Sequence, residues 1–258
     1  MENKQVEQKI LYIEGPDGVS GDMILGALID LGADVNAIKT ELDKFVPEPY
    51  DLVPNPFERN GINGTNLDVV VTEKNAEDEP DAHRRYTEIS EMIAGSELTD
   101  TAKAYALAIF YFIAEAEAMV HNVDIEGVEF HEIGAMDSII DIVGTAIAID
   151  ILGVREFFCS APHDGSGKIE CRHGEIPVPV PAVVEMAKSA GIPIIIEADV
   201  STEMITPTGF GIIKGLGTKF APKLGIAPEK VGYGFGKRDT GKLGAVRITL
   251  GEKYTGEE

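Results

Sequence analysis

Residues 134–152 restrict the fold most. Ile139, Ile140, Ile142, Val143, Ala146, Ile147, Ile149 and Ile151 leave a helix there apolar almost all round, and such helices are buried. It must be covered on every side by further helices or sheet, and 258 residues are enough for one large domain or two small ones. Yet Asp137, Asp141 and Thr145, with Ser138 beside them, form one polar stripe at i, i+4, i+8. Two carboxylates on a buried helix need a partner, because uncompensated buried charge is costly. A divalent cation or a cationic substrate meets that need. So does simple solvation, if the stripe is the one wet face and Asp137 sits at a favourable helix N-terminus.

The remaining pattern predicts mixed α/β structure (α+β) in a single compact domain. An apolar run at Ile10–Ile13 is followed by a glycine-punctuated turn at 15–22 and a helix over Met23–Leu31 ending at Gly32. Asp34 caps a second helix reaching Phe45, and strands follow at Tyr50–Val53 and Leu67–Val71, which gives a β-α-α-β-β opening. The acidic stretch 72–82 lacks apolar periodicity and contains Pro80, the composition of an exposed loop. Helices are expected over 84–94, from Thr99 or Asp100 to His121, over 134–152, near 182–189, and after TPTG at 206–209. Strands are expected at 157–161, 169–172, 192–196, 230–235 and 244–250. There is no convincing βαβ period for a Rossmann or barrel fold.

Charge narrows the partners. Forty-four acidic against twenty-two basic residues give a net charge of −22, which argues against duplex nucleic acid and anionic membrane as ligands. The polar first ten residues predict no secretory signal, and the apolar stretches near 104–120 and 139–154 are interrupted by carboxylates, so neither reads as a membrane span. Cys159 and Cys171 form no CxxC pair or disulfide framework, and a cytoplasmic setting is expected.

Four further places can carry chemistry. In the first turn, Gly15, Gly18 and Gly21 allow backbone N–H groups to converge on an anion at a helix N-terminus, with Ser20 donating and Asp17 or Asp22 holding its metal. The same turn is also explained by Ser20 or Asp22 acting only as a cap. TPTG brings Thr206, Thr208 and Gly209 to a second helix start, where Thr206 again suits a phosphate seat or a cap. Glu117 and His121, spaced i, i+4, suit a metal ligand or base, or a helix-end ion pair. In 163–174, a β-turn with His163 and His173 on its arms, Cys171 and His173 are a weak soft-ligand pair.

Taken together, GVSGDMILGALIDLG (18–32), HRRYTEI (83–89), AEAEAMVH (114–121), FHEIGAMDSIIDIVG (130–144), HGEIPVPVPA (173–182), TPTG (206–209) and GYGFGKRD (232–239) resemble the nickel insertion proteins of nickel-pincer nucleotide biosynthesis, the LarC family of lactate racemase maturation. The resemblance runs almost end to end. It implies a metal chelatase, of the lyase class, that inserts nickel into pyridinium-3,5-bisthiocarboxylic acid mononucleotide. One nickel–carbon and two nickel–sulfur bonds form, with CTP consumed and Mg or Mn assisting.

On that reading the phosphorylated substrate sits at Gly18, Ser20, Gly21, Asp22, Thr206, Thr208 and Gly209. The metal set is drawn from His121, His131, Asp137, Asp141 and His173, and Glu117 or Glu132 takes the ring proton. The family's opening turn carries an Asp, an aromatic and a small residue where Glu14, Gly15, Pro16 and Asp17 stand here. The resemblance gives His163 no ligand role. The family continues into a C-terminal domain that handles CTP, so this chain resembles the N-terminal half, working with that partner and leaving a homo-oligomer open. Two other functions fit the residues: a non-catalytic subunit delivering metal or nucleotide to the partner, and a Mg-dependent hydrolase of a small phosphorylated molecule.

Overall fold

The computed structural model describes residues 9–71, 84–130, 133–171 and 174–254. The chain opens with β1 (Lys9–Glu14), α1 (Gly21–Leu31), α2 (Val35–Leu42), β2 (Tyr50–Arg59) and β3 (Ile62–Val71), the β-α-α-β-β order expected. Next come β4 (Arg84–Arg85), α3 (Tyr86–Gly95), α4 (Asp100–His121), β5 (Glu129–Phe130) and α5 (Met136–Leu152). The strands β6 (Glu156–Cys159), β7 (His163–Asp164), β8 (Lys168–Cys171) and β9 (Gly174–Pro177) lead to α6 (Pro181–Ala190). The described chain closes with β10 (Ile195–Ile196), α7 (Pro207–Gly215), β11 (Lys219–Phe220), β12 (Ile226–Phe235) and β13 (Ala245–Lys253).

Seven strands make one mixed sheet in the order β11-β6-β1-β13-β12-β3-β2. β1 runs parallel to β6 and antiparallel to β13, and β12 lies antiparallel to β13. α1 rests on β12, β3 and β13, α5 packs behind α1, and α4 packs on α5, α6 and α7. α1 approaches β12 closely because Gly234 has no side chain: a Cβ there would stand 1.8 Å from the Met23 carbonyl. The glycines of GYGFG are therefore a packing surface for α1.

α5 is buried as its sequence requires, with Ile139, Ile140, Ile142 and Val143 fully inaccessible. α4, 22 residues long, is the one described helix whose length and hydropathy would suit a bilayer crossing. Its Ile109, Phe110 and Ile113 are instead buried in the protein core.

Several expectations need correction. β2 and β3 each run ten residues, far longer than 50–53 and 67–71, around an Asn60-Gly61 turn with both φ positive. β2 contains Pro54 and Pro56, and as the last strand of its sheet it tolerates their missing N–H groups. The strand at 192–196 shrinks to β10, since Pro193 supplies no donor there. His163 does not sit on an arm of the 163–174 turn; it belongs to β7, which pairs with β10, while the hairpin is β8 with β9. Thr145 is not on a wet face, being fully buried. The loop expected at 72–82 lies outside the described residues.

Candidate functional site

The first turn and TPTG, far apart in sequence, are one structure. Val19 N–H donates to the Met204 carbonyl at 3.0 Å, and Thr206 N–H donates to the Val19 carbonyl at 3.0 Å. Nothing larger than glycine fits between them. A Cβ on Gly209 would stand 2.4 Å from the Val19 carbonyl, and one on Gly18, whose φ is 97°, would stand 2.2 Å from that of Met204. The N-termini of α1 and α7 thus lie side by side.

The two helix starts are capped differently. At α7 the Thr206 hydroxyl accepts from Gly209 N–H at 3.1 Å and lies 2.8 Å from the Thr208 hydroxyl, so the cap expected of Thr206 forms. At α1, Ser20 occupies the cap position with extended backbone, yet its side chain caps nothing. Its hydroxyl donates to Asp22, whose Oδ1 also accepts from Met23 N–H at 2.9 Å. At the start of α1 the side-chain acceptor is therefore Asp22, on Met23 N–H, and not Ser20, and a helix start of this kind can receive an anion at its remaining amides.

Both starts open into one polar cavity. Ser20, Asp22 and Thr206 line it, together with Asp17, Lys237 and Arg238. Lys237 and Arg238 escaped the sequence reading as site residues, although the GYGFGKRD string contains them. Their place depends on the β12 strand end reaching the α1 turn, a long-range contact with no local signal. Lys237 pairs with Asp68 at 3.0 Å. Burial works against its charge, but the Asp68 bond and the nearby Asp22 and Asp141 prevail and raise its pKa. Burial likewise raises Asp17, although Gly244 N–H donates to it at 3.2 Å.

Asp164 holds this loop in place. Its buried Oδ1 accepts from Gly165, Met204 and Ile205 N–H at 2.8, 2.7 and 3.1 Å. Residues 203–206 are thereby fixed against β7. His163 points its Nδ1 at Glu197 at 2.6 Å, and Glu197 also meets Lys242 at 3.4 Å.

Asp141 lies against the start of α1, where a Cβ on Gly21 would stand 2.9 Å from its own Cβ. Its Oδ1 is buried without a hydrogen-bond partner. Burial first, then the neighbouring Asp22 and Asp137, push its carboxyl well above the usual range, with Lys237 opposing. Asp137 itself is exposed.

Glu117 and His121 pair at 3.3 Å and line a second, mostly apolar cavity with Phe130, Ile133, Cys171 and Ile176. The structure thus places Ser20, Asp22 and Thr206 at one polar cavity, with Asp141 against the start of α1, and Glu117 and His121 at a second cavity. His131, Glu132 and His173 lie outside the described residues. Among the described residues no three His, Cys, Asp or Glu side chains gather as a metal-binding group.

The model of the family described as nickel insertion protein matches residues 11–258. The chain belongs to this family. It is 49% identical over 246 residues to the pyridinium-3,5-bisthiocarboxylic acid mononucleotide nickel insertion protein of Acetivibrio thermocellus, covering 94% of this chain and 60% of that protein. The protein of the same description from Lactiplantibacillus plantarum is 44% identical over 258 residues, with 94% and 61% covered. A putative nickel insertion protein of Dictyoglomus thermophilum is 40% identical over 244 residues, with 95% and 61% covered. The chain spans about three-fifths of the length of these relatives. No solved structure matches it.

Proposed function

We propose that this chain binds pyridinium-3,5-bisthiocarboxylic acid mononucleotide and takes part in inserting nickel into it, as the N-terminal component of a CTP-dependent, lyase-class enzyme of the cytoplasm. The observation that carries this reading is the joining of two distant helix starts through Val19, Met204 and Thr206, with Ser20, Asp22 and Thr206 lining one polar cavity beside Lys237 and Arg238. Backbone amides, hydroxyls and two cations suit a phosphate monoester. The names of the relatives supply the substrate.

Nickel enters as the reaction's substrate and suits imidazole, which His121, His131 and His173 provide. The carboxylates have a different role. Asp141, with a buried and unpartnered Oδ1, faces the charges of Asp22 and Asp137, and a hard divalent cation would answer both. Mg or Mn fits this oxygen-only set, and bound there it would neutralise charge beside the phosphate. Glu117 or Glu132 receives the ring proton that leaves as the nickel–carbon bond forms. CTP is handled by the C-terminal partner domain.

The test is nickel insertion measured with the mononucleotide, CTP, Mg and the partner domain supplied. Asp137→Ala with Asp141→Ala should abolish insertion and divalent-ion binding while the fold survives. Unchanged metal affinity in that variant would remove the metal from these residues. No insertion by the unaltered chain under these conditions would leave it a delivery subunit.

A further inference from the structure

Three hydroxyl side chains line the polar cavity among the described residues, and they differ in what they already hold. The Ser20 hydroxyl donates to Asp22, and the Thr206 hydroxyl accepts from Gly209 N–H and pairs with that of Thr208. The Thr240 Oγ1 is buried and has no hydrogen-bond partner among the described residues. A buried hydroxyl left unmatched costs free energy, so one that persists in a cavity wall points to a ligand that satisfies it. Thr145 and Thr218 also hold an unmatched Oγ1, but neither lines this cavity.

Thr240 sits in the loop of residues 236–244 that joins β12 to β13, and this loop is fastened on both sides of it. Gly236 N–H donates to the Gly244 carbonyl at 2.9 Å, closing the loop at its base, and Gly244 N–H donates to Asp17 at 3.2 Å. Before Thr240, Arg238 donates to the Glu203 carbonyl at 2.7 Å. After it, Gly241 N–H turns back to Asp239 at 3.0 Å, and Lys242 pairs with Asp199 at 3.0 Å. The loop is thus tied to the opening turn and to the segment that leads into α7, so the fold itself sets where the hydroxyl stands.

We propose that Thr240 is a phosphate-binding residue, its hydroxyl donating to an oxygen of the phosphate held at the two helix starts. This rests on the functional reading above and adds a third side to the seat, from the strand loop that also carries Lys237 and Arg238. A phosphate dianion only accepts hydrogen bonds, so it matches an O–H with no other acceptor. At Thr240 the ligand adds a bond without displacing one.

A residue that waits for its ligand behaves differently from one that holds the loop. Thr240→Val keeps the shape of the side chain and exchanges the hydroxyl for a methyl group. Without ligand it removes an unmatched buried group and costs the free protein nothing. A hydroxyl that braced the loop would take stability away with it.

Calorimetry and thermal unfolding of the whole chain, with ribose 5-phosphate and inorganic phosphate as probes, test this. Thr240→Val should bind both probes at least tenfold more weakly, the scale of one hydrogen bond to a charged group. Its melting temperature without ligand should equal or exceed the native one. Thr240→Ser, which keeps the hydroxyl, should recover most of the lost affinity. Unchanged affinity in Thr240→Val, or a loss confined to ribose 5-phosphate (which puts the contact on the sugar), overturns the proposal while the phosphate seat stands. A ligand-free melting temperature well below the native one overturns it as well, since the hydroxyl then serves the loop. Binding of neither probe by the unaltered chain overturns the seat itself, and the part of Thr240 with it.

Discussion

Asp164→Ala isolates the residue that shapes the loop joining the two helix starts. In the native protein the carboxylate Oδ1 accepts from Gly165, Met204 and Ile205 N–H, all buried, at 2.8, 2.7 and 3.1 Å. Truncation leaves three buried donors unmatched, each costing about 1–3 kcal/mol. Two effects oppose this. Water can enter the vacated space, and the change removes a desolvated carboxylate whose Oδ2 is buried without a partner. A net loss of about 3 kcal/mol is expected, a large share of the roughly 5–15 kcal/mol that holds a domain folded. Asp164→Asn keeps an acceptor oxygen in place and should lose less than half as much.

The assay is urea unfolding of the three proteins, with ribose 5-phosphate binding measured alongside. Met204 and Thr206 bond to Val19, so the Ala variant should also bind ribose 5-phosphate at least tenfold more weakly. A stability loss below about 1 kcal/mol, or an Asn variant as damaged as the Ala variant, would refute the assignment of Asp164 as the anchor of this loop.

Other outcomes follow from the same geometry. Burial raises the Asp164 carboxyl above its ordinary range, so above about pH 4 the folded chain keeps a proton that the unfolded chain releases. That contribution is complete below this pH and declines as pH rises through the folded-state value. Urea midpoints of the native protein should therefore fall relative to those of Asp164→Asn as pH rises above about 4, and a constant difference contradicts this. Gly209→Ala would press a Cβ to 2.4 Å from the Val19 carbonyl, costing about 1–3 kcal/mol in unfolding experiments and weakening phosphate binding. A melting temperature and affinity equal to the native ones would show that the two turns can part. Cys159 is buried, and burial pushes its thiol up to about 12; Cys171 lies half-exposed in the apolar cavity. A thiol reagent should label Cys171 alone in the folded protein, and two equivalents labelled under native conditions would contradict this placement.

Local chemistry in the chain identified much of the fold. Asp34 caps α2 as read, Thr99 rather than Asp100 caps α4, Gly32 ends α1, and the burial of α5 follows from its isoleucines. Ten-residue β2 strands containing two prolines become intelligible only once β2 is known to be an edge. In the site, Ser20, Asp22, Thr206 and Gly209 were recognisable from their turns, but as two separate seats. Their union through Val19 and Met204, and the arrival of Lys237 and Arg238, come from pairing over long stretches of chain. Periodicity carries no trace of such pairing. Asp141 stands out in the sequence for its incongruity on a buried helix, and the structure places it against the start of α1.

The central claim is that the two helix starts act as one seat for a phosphorylated pyridinium. Its most direct test is calorimetric titration of the chain with pyridinium-3,5-bisthiocarboxylic acid mononucleotide, comparing Ser20→Ala and Thr206→Val, one from each helix start that lines the cavity, with the unaltered protein. The account predicts saturable one-site binding that falls about tenfold in each variant, since each removes a charge-assisted bond worth about 1.5–3 kcal/mol. Affinity unchanged in both variants, or lost in one and untouched in the other, would contradict a single shared seat.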